Sequence, residues 1–148
     1  MIVQPYISGS AVSVAFILGS SGMLALPISY QDLSTDGRFS YHGGALPFPA
    51  PPSVRVVETA TQAVRSIAGL QGYVGVDMVV GPAGATVIEI NPRLTTSYVG
   101  YRALAQSNLA HAILQGSLGM DLPLLLWREG GVAFRSNGTV ESAGWKPH

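Results

Sequence analysis

Two strand-like runs joined by a tight turn constrain this 148-residue chain more than any other part of it. From Tyr73 to Val80 the residues alternate in character, Gly81-Pro82-Ala83-Gly84 is strong turn chemistry, and Thr86 to Asn91 reads as a second strand. A turn centred near Ala83 sets Asp77 opposite Glu89, Val76 opposite Ile90, Met78 opposite Ile88 and Gly75 opposite Asn91. The two-residue period then gathers Asp77, Glu89 and Asn91 on one face and the apolar residues on the other, with open space over Gly75. Residues opposed in this way have Cβ atoms roughly 4.5–5.5 Å apart and like charges there repel, so a positive group belongs between the two carboxylates. Mg2+, which takes oxygen ligands, is the simplest candidate. On spacing alone a second reading stands beside it: Asp77 in solvent at a strand edge, and Glu89 paired with Arg93.

Composition narrows the function classes. The apolar content suffices for a core, and the length suits one domain or one lobe of a larger enzyme. Eight basic and eight acidic residues cancel, which leaves no electrostatic footprint for nucleic acid and no polybasic patch for a membrane. The absence of cysteine excludes disulfides, thiolate catalysis and zinc-cysteine sites, and is compatible with a reducing cytoplasm. The start of the chain lacks a signal-like leader and no apolar stretch reaches the length of a membrane span, so the expectation is a soluble, cytoplasmic protein. Lys146 is the only lysine and there is no Walker-type loop, so cations for binding phosphate are scarce.

Along the chain, Ile2 to Ile7 reads as a short strand, Ala11 to Leu18 as an alternating strand, and Met23 to Tyr30 as its hairpin partner. Gly43 to Pro52, with four prolines and two adjacent glycines, reads as an irregular loop. Ser53 can cap a helix carrying Val56, Val57, Ala60, Ala63, Val64 and Ile67 at helical spacing up to Gly69. Tyr101 to Leu118 reads as one helix, on which a lone His111 has no paired motif and is left out of the site. Val132 to Arg135 and Thr139 to Glu141 form a last hairpin through Asn137-Gly138.

Gly75-Val76-Asp77-Met78 followed by Glu89-Ile90-Asn91-Pro92-Arg93 resembles the C-terminal portion of the ATP-grasp superfamily of ATP-dependent carboxylate–amine ligases. The opening Val3-Gln4-Pro5-Tyr6-Ile7-Ser8-Gly9 is similar to the hinge segment of that family, whose backbone contacts adenine. Tyr41-His42-Gly43-Gly44 and Asn91 to Tyr98 are most similar to the group that includes tyramine–glutamate ligase. Where many relatives carry an acidic residue shortly after the hinge glycine, this chain has Ser13.

The resemblance implies an α+β fold equivalent to the C-terminal lobe of an ATP-grasp domain, a mainly antiparallel sheet with helices packed on one face. Residues 1–148 would then form a partial domain, without the N-terminal domain and the lysine-bearing lobe. It implies that Asp77, Glu89 and Asn91 hold Mg2+ on the ATP phosphates and that Arg93 faces the transferring phosphoryl group as the catalytic residue. Gln4, Tyr6 and Ile7 would contact ATP, with Gln31 either a phosphate or ribose donor or structural. Tyr41, Gly43, Gly44, Thr95, Thr96 and Tyr98 are candidates for contact with the small-molecule carboxylate and amine, against ordinary turn and packing roles. The complete protein would be a ligase working through an acyl phosphate, and this chain alone would be inactive. A non-catalytic nucleotide-binding or interaction remnant is the alternative.

Overall fold

The structure, a computed structural model, describes residues 5–48 and 55–142. The sequence readings at Gln4, Ser53 and Lys146 therefore lie outside the described residues, and residues 5–7 form no strand. Eleven elements follow in order: β1 (Ser10–Gly19), β2 (Gly22–Ala25), β3 (Ser29–Leu33), β4 (Tyr41–Leu46), α1 (Val56–Arg65), β5 (Gly72–Gly81), β6 (Gly84–Asn91), α2 (Ser97–Leu104), α3 (Leu109–Ser117), β7 (Val132–Arg135) and β8 (Val140–Ser142). All eight strands join one antiparallel sheet in the order β6-β5-β1-β3-β4-β7-β8, with β2 also paired to β1.

The long strand β1 organises the sheet. On one side it pairs with β5 from Ser10↔Val80 to Leu18↔Gly72, and on the other with β2 and then β3. The expected single partner Met23–Tyr30 is thus two strands, separated by Leu26-Pro27-Ile28. Pro27 has no N–H to give to a ladder, while Leu26 N still donates to Ala15 O at 2.8 Å.

Alternation along β1 divides the core in two. Val12, Val14 and Phe16 meet Val74, Val76 and Met78 and the buried face of α1, which is Val56, Ala60 and Val64 at i, i+4, i+8. Ala15 and Ile17 face the other way, with Tyr73, Leu46 and Phe134, under Tyr101 and Leu104 of α2 and Leu109 and Ala112 of α3. The α+β class and the mainly antiparallel sheet match the expectation, but the helices lie on both faces, because β1 and β5 are apolar on both sides. Full burial of such side chains is worth about 1.5–3 kcal/mol each.

Two further readings are corrected. The helix expected over Tyr101–Leu118 is two helices: after Leu104 the backbone turns extended, Gln106 N bonds Leu126 O, Arg128 N bonds Leu104 O, and Asn108 restarts the helix by accepting from His111 N at 3.0 Å. Gly43 to Pro52 is not irregular throughout, since Gly43 and Gly44 sit buried in β4. A Cβ on Gly44 would run into the Tyr30 carbonyl of β3 and come within 2.8 Å of Phe134 Cζ. Backbone in a central ladder cannot yield as a side chain can. Gly44→Ala should therefore cost about 1–3 kcal/mol in urea unfolding; an unchanged midpoint would show that β3 and β4 can separate at little cost.

Candidate functional site

The hairpin β5–β6 has the register read from the sequence at the positions that carry chemistry. Asp77 pairs with Glu89, Val76 with Ile90 and Gly75 with Asn91, and the turn is Pro82-Ala83 between paired Gly81 and Gly84. One correction has consequences: a bulge after Asp77 sets Met78 opposite Val87 rather than Ile88. Val87 packs into the α1-side core, and Ile88 turns out to line a cleft with 43% of its surface exposed. The space over Gly75, read as open, is filled by Thr95, whose Cγ2 would lie 2.5 Å from a Cβ there.

Asp77, half-buried, sits at the centre of a hydrogen-bond network. Gln31 Nε2 donates to its Oδ1 at 2.9 Å, and Asn91 Nδ2 donates to its Oδ2 at 3.1 Å. The same Asn91 Nδ2 reaches Glu89 Oε2 at 3.3 Å, so one neutral amide bridges the opposed carboxylates. Asn91 Oδ1 in turn accepts from Arg93 Nη2 at 3.0 Å, and Arg93 Nη1 donates to Leu94 O at 3.2 Å. Arg93 thus joins the site through Asn91, and the alternative pairing of Arg93 with Glu89 is absent among the described residues. Burial raises the Asp77 carboxyl above its ordinary 3.8, with the Glu89 charge adding to it, while neighbouring Ser13, Gln31 and Arg93 pull it down. Ser13 is paired with Asp77 in the ladder and wholly buried, and although it favours the carboxylate its hydroxyl has no partner within hydrogen-bond geometry among the described residues.

The segment after β6 closes one side of this network. Thr95 Oγ1 meets the Tyr73 hydroxyl at 2.8 Å, Thr96 is exposed at the start of α2, and Tyr98 is half-buried against the core. Tyr41 also packs against that core, and burial beside Asp77 and Asp32 pushes its hydroxyl up to about 12. Gly43 and Gly44 have a packing reason in β4, and Gln31 lies within β3 rather than at its end.

Beside the network opens a cleft of about 800 Å3 lined by Tyr6, Ile7, Tyr30, Gln31, Phe39 and Asp77, among others. It brings the Tyr6–Ile7 segment to Asp77, some seventy residues away in the sequence. Sequence reasoning missed Ile88 and Phe39: the bulge is invisible in the alternation, and Phe39 lies in a polar loop without a motif.

Both carboxylates, the bridging amide and an arginine thus lie together at one end of a hairpin whose Asp77 lines this cleft. Residues 1–97 match the family described as an ATP-grasp domain, and the chain belongs to that family. Its similarity to a tyramine–L-glutamate ligase of Methanocaldococcus jannaschii is 32% identity over 121 residues, covering 82% of this chain and 37% of the relative. The chain therefore spans little more than a third of that relative's length. An ATP-grasp superfamily protein from Archaeoglobus fulgidus superposes with a TM-score of 0.70 at 31% identity, over 89% of this chain and 40% of the other. N5-carboxyaminoimidazole synthetase from Staphylococcus aureus, complexed with ADP, shares the fold with a TM-score of 0.70 at 15% identity, over 84% of this chain and 33% of that one. No helix among the described residues is long and apolar enough to cross a membrane.

The electrostatics of Asp77 are directly measurable. A carboxyl whose pKa is raised by folding contributes no penalty while protonated; stability is lost as pH rises from 3.8 through the raised native value. By carboxyl NMR titration of the metal-free chain, Asp77 should titrate above 3.8, Glu89→Gln should lower its pKa, and Arg93→Ala should raise it. Opposite movements would mean that the two side chains do not face Asp77 in solution.

Proposed function

We propose that this chain is the C-terminal portion of the ATP-grasp domain of an ATP- and Mg2+-dependent carboxylate–amine ligase of the cytoplasm, with glutamate and tyramine as its leading substrates. One observation carries the reading: Asp77, which lines the cleft, converges with Glu89 and Asn91, and Arg93 is tied to them through the Asn91 amide. The named activity of the Methanocaldococcus relative and the ADP bound to the Staphylococcus structure favour the same chemistry.

The donor set fits a hard cation. It is all oxygen and holds two carboxylates whose mutual repulsion a divalent ion relieves, with an amide oxygen as third ligand once the Asn91 side chain is turned over. Among the described residues no group of three or more His, Cys, Asp or Glu side chains could hold a metal ion, so the proposed set rests on two carboxylates and one amide. When bound, MgATP supplies the phosphoryl group that activates the carboxylate for attack by the amine. Turning Asn91 over releases Arg93 Nη2, and the exposed guanidinium, still bonded to Leu94 O, would present a planar donor fork to the phosphoryl oxygens. Tyr6 and Ile7, which line the cleft, would receive the nucleoside. Gln31 acts through Asp77, fixing the carboxylate rather than touching phosphate. In this reading the exposed Thr96 and the half-buried Tyr41 and Tyr98 would contact the carboxylate and amine, with Thr95, bonded to Tyr73, and the close-packed Gly43 and Gly44 of β4 in support.

ADP release that needs both glutamate and tyramine tests the whole reading. The isolated chain should give almost none, and adding a lysine-bearing N-terminal ATP-grasp portion should produce it; robust turnover by the chain alone would overturn the division proposed. Within the assembled enzyme, Arg93→Lys should lower kcat by about a hundredfold while changing the KM for MgATP little. Equal losses in both would make Arg93 a binding group only. Asp77→Asn should abolish magnesium-dependent nucleotide binding in calorimetry with the far-UV spectrum unchanged, whereas unfolding would assign Asp77 to the fold.

A further inference from the structure

Phe39 is placed at a cost that the packing of the chain does not explain. It is the one non-glycine residue with positive φ among those described, at +53°, in a region that bulky side chains rarely occupy. It belongs to neither core cluster, and 52% of its surface is exposed. The loop that carries it is nevertheless firmly built. Ser34 N bonds Ser40 O at 2.9 Å, Ser40 N bonds Ser34 Oγ at 2.9 Å, and Asp36 Oδ1 accepts from both Ser34 Oγ and Arg38 N. Hydrogen bonds through the Ser34 and Asp36 side chains and the Ser34–Ser40 backbone thus hold an apolar ring out of the core, in a conformation that glycine would adopt freely.

That ring points at a partner. The Tyr6 ring, 75% exposed, lies 6.0 Å from Phe39 centroid to centroid with the two planes 27° apart, and both residues line the 800 Å3 cleft that also contains Asp77 and Gln31. The cleft therefore has an aromatic pole and a carboxylate pole. A ligand touching both carries a flat ring and a tail whose charge is managed through a cation.

We propose that Phe39 stacks with Tyr6 on the base of the nucleotide, the loop of residues 34–40 serving as a rigid arm that presents the ring to it. The inference rests on the nucleotide reading above and adds to it a residue outside the hinge and the metal strand. Stacking of a base on an aromatic side chain has no counterpart in binding of the phosphates alone. Phe39→Gly removes the ring and relieves the backbone at once, so it separates binding from folding.

The test is calorimetry of the chain with ADP and with tripolyphosphate, both with Mg2+, for the unchanged protein, Phe39→Gly and Phe39→Trp. Expected is an affinity for ADP about tenfold weaker in Phe39→Gly and retained in Phe39→Trp. Tripolyphosphate should bind all three equally, and the thermal midpoint of Phe39→Gly should equal or exceed that of the unchanged protein. Equal ADP affinity in Phe39→Gly and the unchanged chain would overturn the role of Phe39 while leaving the nucleotide reading intact. A lowered thermal midpoint in Phe39→Gly would make the ring a packing element instead. Failure of the unchanged chain to bind ADP, by itself and with the N-terminal portion added, would remove the nucleotide reading and this inference together.

Discussion

The antiparallel pairing of β5 with β1 is the constraint from which the rest follows. It runs without interruption from Ser10↔Val80 to Leu18↔Gly72, so the position of every side chain on β5 is set by a strand buried on both faces. A slip by one residue would exchange the faces and send Asp77 into the α1-side core. The register is therefore enforced by Val74, Val76 and Met78 on one side and Tyr73 and Gly75 on the other, and the acidic site inherits its accuracy from apolar packing.

The same sheet face serves two purposes along its length. Near Ile17 and Tyr73 it is covered by α2 and α3, and at Gly75 it is covered by Thr95. Two residues further along β5 the cover ends, and the next inward-facing side chain on that face is Asp77. The site is thus the place where an otherwise covered surface emerges, which explains a carboxylate that is half-buried yet open to a cleft. The Asn91 amide meets the demand that two opposed carboxylates impose: it donates to both at once and passes its oxygen to Arg93.

Much of this was legible in the sequence, and the parts that were not share a cause. The opposition of Asp77 and Glu89, the last hairpin through Asn137-Gly138 and the buried stripe of α1 are local patterns, and local patterns carried them. The helices on both faces, the division of Tyr101–Leu118, and the strand at Gly43-Gly44 depend on what lies opposite in space. Val57 shares the helical spacing of Val56 and Val64 but stays 36% exposed, and Ile67, 42% exposed, lies past the end of α1 at Arg65 rather than on a helix running to Gly69. At Gly43 and Gly44, glycine suggested a loop, whereas close approach of β3 and Phe134 of β7 is what calls for it. Membership of the ATP-grasp family was legible because Asp77, Glu89, Asn91 and Arg93 sit within and just after one short hairpin.

The bulge after Asp77 has a consequence beyond the direction of Ile88. Among the described residues β6 is the last strand on its side of the sheet, and an unprotected outer strand is a template for addition of another chain. The bulge interrupts the flat run of amides and carbonyls, and Glu89 places a carboxylate immediately beside it. A strand of a second molecule laid along this border would lose its ladder and confront a carboxylate midway. The geometry that shapes the cleft also discourages self-association, so substitutions that regularise β6 and neutralise Glu89 together would trade solubility for symmetry.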